Sequence, residues 1–168
     1  MHGAECGSVD RFHNLPGGPM APASPGREKA EKNLMKQEPY VLDRVRRDFV
    51  LQAIRSVCNC RGWELCAAHI RTSHLHVVVS GDENPQRIMV DFKAYASRAL
   101  NDAGIDPPRR KRWSRHGSMR YLWKREDVSA ARDYVLLGQG VPMTVFDAMN
   151  TSAARVADSK EAAGGTAR

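Results

Sequence analysis

The sequence predicts an α+β domain: a small antiparallel β-sheet with helices packed on it. Three observations predict it. Apolar residues recur at helical spacing around positions 43–61 and again around 86–103. Between those segments lie two β-branched and aromatic stretches, 63–70 and 74–79, joined by only three residues. A further helical segment follows near 126–138. An adjacent strand pair flanked by helices points to helices laid against an antiparallel sheet.

Asp43 can cap the first helix. Val45, Phe49, Val50, Ala53, Ile54 and Val57 form its apolar stripe, and Gly62 ends it. The segment 63–70 is then a strand, Arg71-Thr72-Ser73 a short link, and 74–79 the second strand of a hairpin. Asn84 caps the next helix, with Pro85 at its first position. That helix runs from Gln86 to about Ala103, with Ile88, Phe92, Tyr95 and Ala99 on one face, and Gly104 stops it. Asp106-Pro107-Pro108 cannot be helical. Residues 119–123 read as a strand, and a third helix starts near Glu126 or Asp127 and ends near Gly138. A short extra strand at 38–42 is available before the first helix.

The 168 residues suffice for one domain with a real core. Residues 39–148 carry it. Residues 1–38, rich in Pro and Gly, and residues 149–168, rich in Ala, Gly and charge, read as disordered tails that bury too little to offset ordering entropy. No apolar run approaches the roughly 20 residues of a membrane helix, and Met1-His2-Gly3-Ala4-Glu5 lacks the order of a secretory signal. The expectation is a cytoplasmic protein with no membrane partner and reduced thiols at Cys6, Cys58, Cys60 and Cys66. Cys58, Cys60, Cys66 and His69 could be assembled into a zinc site, but their spacing matches no standard knuckle.

His74-Leu75-His76 carries the most chemistry. On a strand the two imidazoles share a face. Such a pair binds a divalent metal if a third ligand joins it, and is otherwise two packed or surface histidines. The net charge of +7 suggests an acidic partner such as nucleic acid. Arg109, Arg110, Lys111, Arg112, Arg115 and Arg120 concentrate that charge in one loop, where Trp113 can stack on an unpaired base. His116 joins them as a contact to DNA or solvent. The alternative is a solvated loop around a core tryptophan.

Four blocks in order, "HIRTSHLHVVVSG", "NPQRIMVDFKAYASRALN", "RRKRWSRHGSMRYLW" and "ARDYVLLGQG", resemble the single-tyrosine HUH transposases, the insertion-sequence and REP-associated enzymes acting on hairpin DNA ends. The likeness covers roughly residues 40–146. It implies the HUH fold, with a ferredoxin-like or RRM-like topology. It implies cleavage and rejoining of single-stranded DNA with hairpin ends through a 5′-phosphotyrosine, with Mg2+ or Mn2+ on the histidine pair, in a homodimer. Among Tyr40, Tyr95, Tyr121 and Tyr134, the resemblance points to Tyr134 as nucleophile, since it lies on the last helix. Tyr95 falls on a core face, Tyr121 reads as packing, and Tyr40 precedes the first helix.

The family places a polar side chain four residues after the tyrosine; here Gly138 stands there and Gln139 follows. A five-residue helical step turns about 140° past the tyrosine, against about 40° for four. Gln139 therefore reaches the metal only if the helix ends first, which a left-handed Gly138 would allow. His69, on the neighbouring strand, is the other candidate third ligand. The family's fold also opens with a strand before the first helix, for which only 38–42 is available. The competing readings are a degenerate or domesticated domain that binds hairpin nucleic acid without cleaving it, and a metal hydrolase using His69, His74 and His76.

Overall fold

The computed structural model describes residues 37–115 and 117–150, together with Asn33. The elements run α1 (Arg44–Arg61), β1 (Glu64–Ile70), β2 (Leu75–Ser80), α2 (Pro85–Asp102), α3 (Arg125–Leu137) and β3 (Thr144–Asp147). The three strands form one antiparallel sheet in the order β2-β1-β3, so the α+β architecture stands. His116 and most of the two expected tails lie outside the described residues.

Local chemistry sets the helix ends. Asp43 accepts from the Arg46 amide at 2.8 Å, and Gly62 closes α1 at φ 71°. Asn84 accepts from the Gln86 amide at 2.8 Å, with Pro85 at the first position of α2. Glu126 and Asp127 in the first turn of α3 complement its positive end.

The sheet has two working faces, and a β-bulge in β1 assigns residues to them. Leu65 pairs with Val79, but Ala67 pairs with Val78, so Cys66 is an extra residue. Past the bulge the side-chain parity switches. Leu65, Ala68 and Ile70 join Val50, Ile54, Val57, Phe92 and Leu100 in the larger core, under α1 and α2. Ala67 and Val78 look the other way and pack with Val135, Val128 and Ala131 of α3. Ile54, Ile70 and Leu100 are fully buried, each contributing about 1.5–3 kcal/mol. Trp63 meets Phe92 edge to face at 5.9 Å. Val45 and Phe49, expected on the apolar stripe of α1, are exposed at its rim.

Two strand expectations fail. Residues 119–123 make no strand; Leu122 packs against the cluster of Ala67, Val78 and Val135 while its neighbours face outward. The third strand is β3, whose Thr144-Val145-Phe146 was the β-branched and aromatic signal to read. Residues 38–42 also form no strand. Their backbone is anchored by the Leu42 amide, which donates to Thr72 O at 2.8 Å, with Tyr40 and Leu42 buried.

A buried ionic knot ties that entry segment to the rest. The Asp106 carboxylate accepts from Tyr40 Oη at 2.6 Å, Arg46 Nη2 at 2.9 Å and Arg112 Nε at 2.7 Å. Arg112 also donates to Asn101 Oδ1 at 2.8 Å. Burial pushes the Asp106 carboxyl up, but the Tyr40 hydroxyl and the Arg112 and Arg46 guanidinium groups outweigh it and hold it below the usual carboxylate range. A depressed carboxyl stabilises the fold above its unfolded pKa and loses that contribution as pH falls through the folded value. Asp106→Asn should therefore lower unfolding free energy by about 3–5 kcal/mol at neutral pH. The gap from the unsubstituted chain should narrow below about pH 4. Urea titrations at neutral and acid pH measure both, and a pH-independent gap would refute the assignment.

Candidate active site

β2 begins one residue after His74, and His76 lies within it, so both imidazoles stand on the α3 side of the sheet. Their ring centroids are 5.2 Å apart at 80°. Ser73 Oγ lies 3.1 Å from His74 Nδ1, which leaves Nε2 as the free nitrogen of that ring. Burial holds the His74 imidazole below its ordinary pKa, helped by the Arg71 charge and opposed by Gln139. Burial does the same to His76, helped by His74 and His69 and opposed by Gln139. Both rings thus favour the neutral form that coordinates metal.

Tyr134 comes to the pair from α3, its ring 5.9 Å from that of His76 at 79°. It is 58% exposed, so the ring rests on the histidine while the side chain remains open to a ligand from solvent. Gln139 also arrives, by a different backbone route from the one expected. The helix ends at Leu137, and Gly138 adopts φ −82°, not a left-handed turn. The left-handed residue is Gly140, at φ 73°. Glycine at 138 answers a different need: a Cβ there would lie 2.8 Å from Tyr134 O and 2.9 Å from Tyr134 Cδ2. Any side chain would collide with the tyrosine ring. The chain then turns so that Gln139 bears on both imidazoles.

The Gln139 Nε2 atom is buried and has no hydrogen-bond partner. A buried polar atom left without a partner is costly. Rotating the amide by half a turn exchanges nitrogen for oxygen at that position. Gln139 is thus a side chain acting on both imidazoles with an unsatisfied polar atom, and His74, His76 and Gln139 are the residues that would hold a divalent cation. Among the described residues no three His, Cys, Asp or Glu side chains gather into a metal-binding group. The zinc arrangement of Cys58, Cys60, Cys66 and His69 therefore does not form; Cys6 lies outside the described residues. Cys58 is a buried thiol pushed up to about 11 by desolvation.

His69 is placed where a third imidazole would be needed, directly across from His76 in the strand register, but both its nitrogens are taken. Nε2 accepts from the Met143 amide at 3.2 Å. The ring proton therefore sits on Nδ1, which donates to Val135 O at 3.0 Å. This fully buried ring is a structural bridge between the sheet, the tyrosine helix and the segment after Gln139. It is not a third ligand. Arg132 reinforces the bridge, pairing from α3 with Asp147 of β3 at 2.7 Å. Arg71 Nη1 donates to Val141 O at 3.1 Å.

The basic loop divides. Arg112 is buried and engaged by Asp106 and Asn101, so it serves the fold and has no face for phosphate. Arg110 donates to Gln37 Oε1 and to the Glu38 and Pro39 carbonyls, and lies 5.2 Å over the Tyr40 ring. Trp113 is half-buried against the larger core and donates from Nε1 to Ser97 Oγ at 2.7 Å, so it is not the open stacking surface expected. Arg109, Lys111, Arg115 and Arg120 are exposed and form no ion pair among the described residues. Of the other tyrosines, Tyr40 is buried and Tyr95 packs against the core under Arg98. Tyr121, expected to pack, is exposed.

No protein-family model, curated protein or solved structure matches the chain.

Replacing His69 with Leu leaves Val135 O and the Met143 N–H without partners. Unfolding free energy should fall by about 2–4 kcal/mol, and exchange of the Met143 amide proton should accelerate. Thermal unfolding and hydrogen exchange read these two effects, and an unchanged Met143 exchange rate would refute the bridging role.

Proposed function

We propose that the protein cleaves and rejoins single-stranded DNA, with Tyr134 as nucleophile and a divalent cation held by His74, His76 and Gln139. One observation carries the reading: His74 just before β2, His76 on β2 and Tyr134 on α3 bring their rings together on one face of the sheet, and Gln139 from the turn after α3 acts on both imidazoles. His74, His76 and Tyr134 are the three that the HUH resemblance singles out, and Gln139 stands one residue past the family's polar position. The resemblance supplies the reaction class, and the convergence supplies the means to perform it.

The chain's own groups account for the steps. Tyr134 Oη forms a bond to the scissile phosphorus, losing its proton to solvent. The bond from phosphorus to the 3′-oxygen breaks, and the departing oxygen takes a proton from solvent to give a free 3′-hydroxyl. The ester bond so formed is retained on the tyrosine, and return attack by a 3′-hydroxyl reverses the step without external energy. A divalent cation at the histidine pair supplies Lewis-acid polarisation of the phosphate. The edge of His76 limits where the Tyr134 ring can swing, and the absent side chain at Gly138 leaves room for it. Arg71, whose charge bears on both histidines, suits a phosphate oxygen. Exposed Arg109, Lys111, Arg115 and Arg120 suit the DNA backbone. Two imidazoles and an amide are softer than an all-oxygen set, so Mn2+ suits the site better than Mg2+. The Tyr134 ring meets His76 of its own chain at 5.9 Å, which supports assembly in cis.

A labelled hairpin with single-stranded flanks, incubated with Mn2+, should give a covalent adduct on a denaturing gel. Tyr134→Phe should abolish it and Tyr95→Phe should not. His76→Ala should lower the yield by about ten-fold or more, and chelation should remove it. An adduct that persists in Tyr134→Phe refutes the nucleophile, and hairpin binding with no adduct would identify a binding domain without cleavage. Mixing Tyr134→Phe with His76→Ala chains should not restore the adduct; restoration would mean assembly in trans.

A second prediction concerns Gly138. Its replacement by Ala pushes the Tyr134 ring off His76, at a cost of about 1–3 kcal/mol in stability. Adduct formation should slow while hairpin affinity holds, and a normal adduct rate would show that the ring tolerates the contact.

A further inference from the structure

The segment leading into α3 presents two aromatic rings to solvent. Tyr121 and Trp123 stack on each other, centroids 5.3 Å apart and planes within 4°. They are 58% and 84% exposed, and Trp123 is the most exposed large apolar side chain among the described residues. Leu122 between them turns inward to the cluster of Ala67, Val78 and Val135. That cluster holds the residue next to Tyr134, so the stacked pair is anchored beside the tyrosine helix. Exposed cations flank it on both sides: Arg120 before, Lys124 and Arg125 after.

Two parallel rings cover one face of each other and leave the outer faces open. The outer faces of an exposed aromatic pair offer a flat apolar surface that a planar group can cover. Every nucleobase has such a face, and a strand with unpaired bases also brings phosphates for the flanking cations.

We infer that Tyr121 and Trp123 form a stacking platform for an unpaired base of single-stranded DNA at the N-terminal end of α3, remote from the Tyr134 end of that helix. The inference rests on the strand-cleavage reading in one respect, that the strand held is the one offered to Tyr134. It transfers to this exposed pair the stacking role that the half-buried Trp113 cannot fill.

The test uses the full chain and fluorescence anisotropy of a labelled DNA hairpin, either blunt or with a short single-stranded tail. The unsubstituted protein should prefer the tailed hairpin. Trp123→Ala should weaken tailed binding by about ten-fold or more, Trp123→Phe should recover most of it, and both should bind the blunt hairpin normally. Tyr121→Ala should reproduce the loss in part. Unchanged tailed affinity in Trp123→Ala would overturn the platform, as would an equal loss on both hairpins. A change of oligomeric state by sedimentation would overturn it too, by making the rings an interface between copies. Unfolding midpoints guard against misfolding, which the exposure of Trp123 makes a minor concern. Adduct formation is scored in parallel. Trp123-dependent tail binding without any adduct removes the cleavage reading and leaves the platform, whereas an adduct with Trp123-independent binding removes the platform alone.

Discussion

A single buried imidazole organises the candidate site. His69 lies near the C-terminal end of β1, the central strand, between His76 on one side and Val145 on the other. Its two nitrogens take a carbonyl from the tyrosine helix and an amide from the segment after Gln139. Val135 O lies in the last turn of α3, where carbonyls lack a partner within the helix, and the Met143 N–H lies just before β3, so each would otherwise need water or lose its hydrogen bond. Fixing both to one rigid ring sets the height of α3 above the sheet and brings the Gln139 turn back over the histidines. Tyr134 comes to His76 beside a residue, Val135, that His69 holds, and the segment after Gln139 is tied to the same ring at Met143.

The bulge at Cys66 is the condition for that arrangement. Without the extra residue, Ala67 and His69 would face the larger core with Leu65, and α3 would have no partner for Val135. Bulges commonly re-aim a side chain beside a functional site. Here one re-aims the second half of β1 and so makes the sheet two-sided. α1 and α2 fill one face with large aliphatic and aromatic side chains. The other face is lightly filled by Ala67, Val78 and Val135, leaving its far end to the histidines.

Charge is divided in a similar way. Two of the six cations of the basic loop are structural: Arg112 and Arg110 are held by Asp106, Gln37 and the carbonyls of the entry segment. This fastens the loop to the domain and leaves Arg109, Lys111, Arg115 and Arg120 directed to solvent. A loop of six cations is therefore neither wholly a solvated surface nor wholly a binding patch. The buried carboxylate of Asp106 decides which residues are which, since a buried guanidinium requires a paired acid.

Much of the fold was legible in the chain itself. Asp43, Gly62, Asn84, Pro85 and Gly104 mark helix ends by local backbone chemistry, and the hairpin follows from two β-branched stretches on a short link. The His-Leu-His pattern also needed nothing distant, because side-chain alternation is a property of one strand. Other features depended on contacts between residues far apart in sequence. β3 is only four residues long and gains its identity from pairing with β1. The roles of Arg112 and Trp113 were set by Asp106 and Ser97, not by their neighbours in a basic run. Gly138 looked like a helix terminator and proved to be a clearance for the Tyr134 ring. Sequence alone determined which residue types were available for chemistry and which strand carried the pair. Tertiary structure decided which of them meet, because burial and hydrogen-bond satisfaction are settled by neighbours that only the folded chain supplies.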